Sequence, residues 1–244
     1  MSSPRFFVDT ELAEGATVPL PAAVAHHATR VLRLRDGAAV TLFNGHGGEY
    51  AATLQLAGDR STALVRRFDD IERESPFAVT LVQAWTAGDK LDWTVEKAVE
   101  LGAAAILLVP AQRSVVVLDE TRRAKREQRL RDIVVAACCQ CGRNRVPTPQ
   151  AAATLEEGLQ RALQAAGRGV LLAPAGETPL AHAAGNATAL ALAIGPEGGF
   201  DADEQALARR LGFSAVSFGR RILRTETAGI AALAALQALH GDLR

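Results

Sequence analysis

The spacing of apolar and polar residues changes rhythm part-way along this 244-residue chain. Up to about Arg73 it consists of short runs: residues 5–8, 38–43, 49–55 and 62–68 read as strands. The turn sequences Asn44-Gly45-His46-Gly47-Gly48 and Ala57-Gly58-Asp59 separate them. Residues 22–31 predict one short helix. The expectation is a small β-barrel domain over residues 1–73. Its Gly45-x-Gly47-Gly48 is not a dinucleotide fingerprint, because the chain continues as a strand and not as a helix.

A charged segment ending at Pro76 marks the boundary, and from residue 74 to 244 strands alternate with helices. Residues 77–84, 104–109, 169–173, 189–194 and 213–218 read as strands, and residues 91–101 and 119–141 as helices. Such alternation predicts an α/β domain: a mostly parallel sheet with helices on both faces and ligands beyond the carboxyl ends of the strands.

Two of those ends stand out. Ile194-Gly195-Pro196-Glu197-Gly198-Gly199-Phe200 follows an apolar strand and leads to Asp201, with Glu204 in the capping-box position of the next helix. Paired glycines let the backbone take unusual conformations and let a ligand come close. Taken alone, the stretch fits an ordinary surface loop as well as a binding loop. The second junction, Gly219-Arg220-Arg221-Ile222-Leu223-Arg224-Thr225-Glu226, shifts the balance, because two Gly-bearing strand ends in successive units make the walls of one pocket. Thr225 is a plausible N-cap for a last helix. Its apolar face is Ile230, Leu233, Leu236 and Leu239, and its alanines suit close packing on another helix or a second subunit.

Composition adds limits. The chain is 48% hydrophobic and 22% charged, as expected of a globular protein, and its net charge is zero. Basic residues nevertheless outnumber acidic ones between Arg113 and Arg145, and the reverse holds between Val146 and Gln205. Cys138, Cys139 and Cys141 lack further ligands at finger spacing, so buried helix thiols and no metal are expected. No start resembling a secretory leader and no apolar run of the ~18 residues needed to span a membrane is visible, which points to a cytoplasmic protein. Arg30, Arg33 and Arg35 fit either solvated charges or a phosphate-contacting patch. In Cys141-Gly142-Arg143-Asn144-Arg145-Val146-Pro147 the glycine and proline suit a helix end, whereas two arginines around an asparagine offer phosphate forks and a base-edge amide.

Together with Glu100-Leu101-Gly102 and Pro4-Arg5-Phe6-Phe7, these motifs resemble, over essentially the whole chain, the RsmE family of 16S ribosomal RNA (uracil-N3)-methyltransferases, in the SPOUT superfamily. The resemblance implies a PUA-like RNA-binding barrel followed by a trefoil-knotted methyltransferase domain, a homodimer, S-adenosyl-L-methionine as cofactor, and 16S rRNA, within the small ribosomal subunit, as partner. Carried over, the cofactor pocket comprises Leu172, Ile194, Gly195, Pro196, Glu197, Gly198, Gly199, Phe218, Gly219, Ile222, Leu223, Arg224 and Thr225. Arg5, Arg30, Arg33, Arg143, Asn144 and Arg145 would position RNA.

Uracil N3 is a poor nucleophile while protonated, so Arg224 is expected to polarise a uracil carbonyl while Glu197 or Glu226 removes or relays the proton. Either acid could equally fix loop geometry alone. Three other functions compete with this one. A nicotinamide-dependent oxidoreductase lacks its Gly-x-Gly-x-x-Gly after the first strand of the α/β domain. A non-catalytic RNA-binding protein would not need intact glycines in both pocket loops. A knotted methyltransferase for another base or ribose position differs only in its acceptor.

Overall fold

The computed structural model describes residues 3–57, 60–115, 120–176 and 178–243, which form two compact units: Met1–Glu74 with Cys138–Val146, and Ser75–Ala137 with Pro147–Arg244. Most of the turn expected at Ala57-Gly58-Asp59, and the helix start expected at Asp119, lie outside the described residues.

The first unit contains β1 (Arg5–Phe7), β2 (Thr17–Pro19), α1 (Ala22–His26) running into a π-helical turn at His27–Val31, β3 (Ala39–Phe43), β4 (Glu49–Ala57) and β5 (Arg60–Asp69). They form a mixed five-stranded sheet in the order β1-β3-β4-β5-β2, in which only β1 and β3 run parallel. The sequence pattern missed β2, which is three residues long, lies on the sheet edge and contains Pro19, a residue tolerated there because an edge leaves N–H groups unpaired. Phe6, Val8, Leu42, Leu54 and Val65 pack around Ala28 in its core.

Segment 138–146 belongs to this unit although it follows the α/β rhythm in sequence. Gly142, at φ +91°, ends the helix before it. Asn144 is fully buried, accepting from Arg5 (2.6 Å) and donating to the Ile71 carbonyl (2.9 Å). Arg143, only 4% exposed, pairs with Glu74, its Nε 2.9 Å from Oε1. Arg5 and Arg73 both hold Glu49, at 2.5 and 2.6 Å. Burial pushes the Glu49 carboxyl up, but the hydrogen bonds and charges of Arg73 and Arg5 outweigh it and hold it at about 2. Arg5, Arg143 and Asn144, expected from the resemblance to position RNA, are thus hydrogen-bonded within the unit. Arg145 is exposed and pairs with Glu72. Burial pushes the Cys138 thiol up to about 12.

The second unit contains β6 (Ala78–Ala84), α2 (Gly88–Glu100), β7 (Ala103–Val109), α3 (Glu120–Cys141), whose last turn belongs to the first unit, β8 (Gln150–Ala151), α4 (Leu155–Ala166), β9 (Gly169–Leu172), β10 (Thr178–Pro179), β11 (Ala189–Ile194), α5 (Ala202–Arg210), β12 (Phe213–Ser217) and α6 (Thr225–His240). The seven strands are parallel, in the order β10-β12-β9-β11-β6-β7-β8. The nearly continuous apolar runs of β6 and β11 follow from burial on both faces. Val82, Ala193 and Val109 face Leu159 of α4 and Phe213 in one core. Period-two alternation turns Leu81 and Gln83 the other way, toward Gly229 of α6. There Leu233 and Leu236 are fully buried, while Leu239 is exposed. No helix among the described residues is long and apolar enough to cross a membrane.

Candidate active site

The carboxyl ends of β9, β11 and β12 open on one cavity of about 390 Å³. Its most constrained wall is the loop after β11. A Cβ on Gly195 would lie 2.7 Å from the backbone nitrogen of Phe200, so no side chain fits there. The amide of Gly199 donates to the Pro196 carbonyl at 2.9 Å and closes the turn, with Gly199 at φ +68°. Asp201 then caps α5: its side chain accepts from the Glu204 amide and the Glu204 carboxylate accepts from the Asp201 amide, both at 2.8 Å.

The opposite wall is the segment between β12 and α6. Arg224, not Thr225, is the N-cap of α6, and the expected cap hydrogen bond is absent. Thr225 instead donates its hydroxyl to the Gly195 carbonyl at 2.6 Å and accepts from Gln83 Nε2 at 3.1 Å. This buried chain fastens both Gly-bearing loops to β6, so the cavity walls keep one separation.

Of the residues singled out from sequence, Leu172, Ile194, Gly195, Pro196, Glu197, Gly198, Gly199, Phe218, Gly219, Ile222, Leu223 and Thr225 line this cavity. Arg224 is exposed and Glu226 half-buried, and neither is part of the wall. Arg113 was missed: it lines the cavity and donates to the Gly198 carbonyl at 3.0 Å. Its place just after β7, at another strand carboxyl end, is the signal that could have found it. Lys90, in the first turn of α2, was missed too; its Nζ stands 3.4 Å from Glu197 Oε1 and 3.9 Å from Glu226 Oε2. No group of His, Cys, Asp and Glu among the described residues could hold a metal ion.

Apolar side chains, backbone groups brought close by glycine, and a few charged side chains at the edge suit a small organic ligand. The RNA methyltransferase domain family matches residues 73–237, and the RNA methyltransferase PUA domain family matches residues 20–66. Ribosomal RNA small subunit methyltransferase E of Bacillus subtilis is 31% identical over 98% of this chain and 99% of its own length. The chain belongs to the RsmE family. A solved RsmE from Neisseria gonorrhoeae, bound to S-adenosyl methionine, superposes with a TM-score of 0.90 at 37% identity, with both chains covered completely. A Legionella pneumophila methyltransferase in complex with the same cofactor gives 0.91 at 33% identity, again over both whole chains.

In the first unit, Arg30, Arg33 and Arg35 are exposed around Val31 and Leu32, which are themselves 59% and 42% exposed. Arg33 adopts φ +53°, a left-handed conformation that non-glycine residues rarely take.

Proposed function

We propose that this RsmE-family protein transfers a methyl group from S-adenosyl-L-methionine to N3 of a uridine in the 16S rRNA of the small ribosomal subunit. The observation that carries the reading is the single cavity into which both glycine-bearing loops fold, locked by Thr225 between Gly195 and Gln83. The cofactor fits the residues present. Apolar Leu172, Ile194, Phe218 and Leu223 would sandwich an adenine, and the backbone of 195–199 and 219–223 offers close polar groups without side-chain obstruction. Bound there, S-adenosyl-L-methionine supplies a methyl on a positively charged sulfur, which becomes a neutral thioether once N3 has taken the methyl.

The chain's own residues have two tasks. One is to move the N3 proton to a carboxylate, for which Glu197 in the cavity wall and Glu226 beside it are the acceptors. The other is to stabilise negative charge on the uracil carbonyls as the proton leaves. Arg224, exposed at the start of α6, is free of the cavity wall and open to an arriving base. RNA contacts are assigned to Arg30, Arg33 and Arg145, with Arg5, Arg143 and Asn144 acting one step back by fixing the segment that carries Arg145. The trefoil knot, the homodimer and a cytoplasmic location belong to the same reading.

The deciding experiment is transfer of labelled methyl to small ribosomal subunits that lack their native methylation, followed by nucleoside analysis. The expected product is 3-methyluridine. Another methylated nucleoside would overturn the acceptor, and no transfer despite tight cofactor binding would favour a different form of the substrate or a binding protein.

A further inference from the structure

We propose that Lys90 is a positioning residue for methyl transfer, its ammonium spanning the carboxylates of Glu197 and Glu226 and holding both beside the cavity. The inference rests on the reading that these two glutamates handle the acceptor proton. Three separate elements meet at this point: the loop after β11 carries Glu197, the first turn of α6 carries Glu226, and the first turn of α2 carries Lys90.

The need for a cation there is physical. Two carboxylates share one ammonium, and each would repel the other without it. Glu226 Oε2 is buried and has no hydrogen-bond partner, so the lysine charge at 3.9 Å is its compensation among the described residues. A buried carboxylate oxygen left with neither donor nor cation is costly, and its side chain would swing toward solvent. Arg113, after β7, reaches the Glu197 loop at the Gly198 carbonyl, and no ion pair between it and either glutamate is seen among the described residues. Lys90 itself is fixed at its base, where the Lys90 amide donates to the Ala87 carbonyl at 3.1 Å and Thr94 donates its hydroxyl to the Lys90 carbonyl at 2.8 Å. Lys90 is not part of the cavity wall, so it acts through the two acids.

That arrangement gives Lys90 a signature that a merely structural lysine lacks. Lys90→Met keeps the length and removes the charge, and is expected to lower kcat on the order of 10–100-fold, as expected for displaced reacting groups. The Kd for S-adenosyl-L-methionine should stay within about threefold, since no cofactor-contacting wall is touched. Lys90→Arg, which keeps the charge, should recover most of the rate. In double variants with Glu197→Gln or Glu226→Gln the losses should not multiply, because the lysine works through those carboxylates.

The test is single-turnover methyl transfer for the wild type, the single and the double variants of the full chain, with cofactor affinity measured in parallel. A wild-type kcat in Lys90→Met, equal losses of rate and cofactor affinity, or multiplicative losses would each overturn the positioning role while leaving the glutamates in theirs. Wild-type rates in both glutamine variants would instead overturn the proton-handling reading, and the positioning role with it.

Discussion

At the residue scale, Gly195 carries the tightest constraint in the site. Any Cβ there meets the Phe200 amide at 2.7 Å and the Gly199 carbonyl carbon at 3.0 Å, and these are backbone atoms of the same short loop. Gly195→Ala must therefore open the turn whose amides and carbonyls line the cavity. We expect it to weaken S-adenosyl-L-methionine binding by at least about tenfold in calorimetry, or roughly 1.4 kcal/mol. The melting temperature should fall as well, because Phe200, whose amide the Cβ meets, packs in the core with Val82, Leu159 and Phe213. Gly199→Ala is the useful contrast: its φ of +68° makes alanine strained, yet an added Cβ meets nothing within 4 Å. Glu197 and Arg224 illustrate how position in the fold separates residues that look equivalent along the chain. Both sit at glycine-bearing junctions, but the first lines the cavity and the second points to solvent.

At the scale of elements, the segment around 142–145 shows a short stretch acting as a clasp within the first unit. Arg5 and Arg73 converge on Glu49 and also donate to the Gly142 carbonyl, at 3.1 and 3.0 Å. Since the Glu49 carboxyl titrates lower in the folded state than in the unfolded one, its contribution is complete above the ordinary value of 4.5 and disappears as pH falls toward about 2. With partial solvent screening the effect is about 2 kcal/mol. Glu49→Gln should thus lower the melting temperature of the first unit at neutral pH, and the gap from wild type should close as the pH is taken from 4.5 toward 2. A gap that persisted unchanged at acid pH would count against this role for Glu49. The long helix α3 ends in the same clasp, which gives Gly142 a reason beyond helix termination: a positive φ there delivers its carbonyl to two arginines.

At the scale of the whole molecule, a net charge of zero conceals an uneven distribution, and exposed arginines are what an RNA can use. Arg30, Arg33 and Arg35 qualify, whereas Arg143 is committed to Glu74. The two groups should behave differently when removed. Replacing Arg30 and Arg33 together by alanine should weaken RNA binding and flatten the slope of log affinity against log salt by about 1.5, the value for two lost phosphate contacts. Folding should be unaffected. Arg143→Ala should destabilise the first unit by about 3 kcal/mol, the usual cost of stripping one partner from a buried ion pair. Equal salt slopes for the Arg30/Arg33 variant and wild type would remove this surface from the RNA path.

Several features of this protein were determined by sequence alone, because they are local. The change of rhythm near residue 74, the capping box at Asp201, the helix end at Gly142 and the two glycine-bearing junctions each depend on a window of a few residues whose backbone preferences do not need the rest of the chain. The strand order could not be read that way, since β10-β12-β9-β11-β6-β7-β8 pairs strands far apart in sequence and a buried apolar run carries no label for its neighbour. Burial of Arg143 and Asn144 beside exposed Arg145 was decided only in three dimensions: partners about seventy residues away, at Ile71, Glu72 and Glu74, determine which of the three is consumed. The same holds for Lys90 and Arg113, which reach the site because parallel strands bring their carboxyl ends, and the loops and helix starts that follow them, to one edge of the sheet.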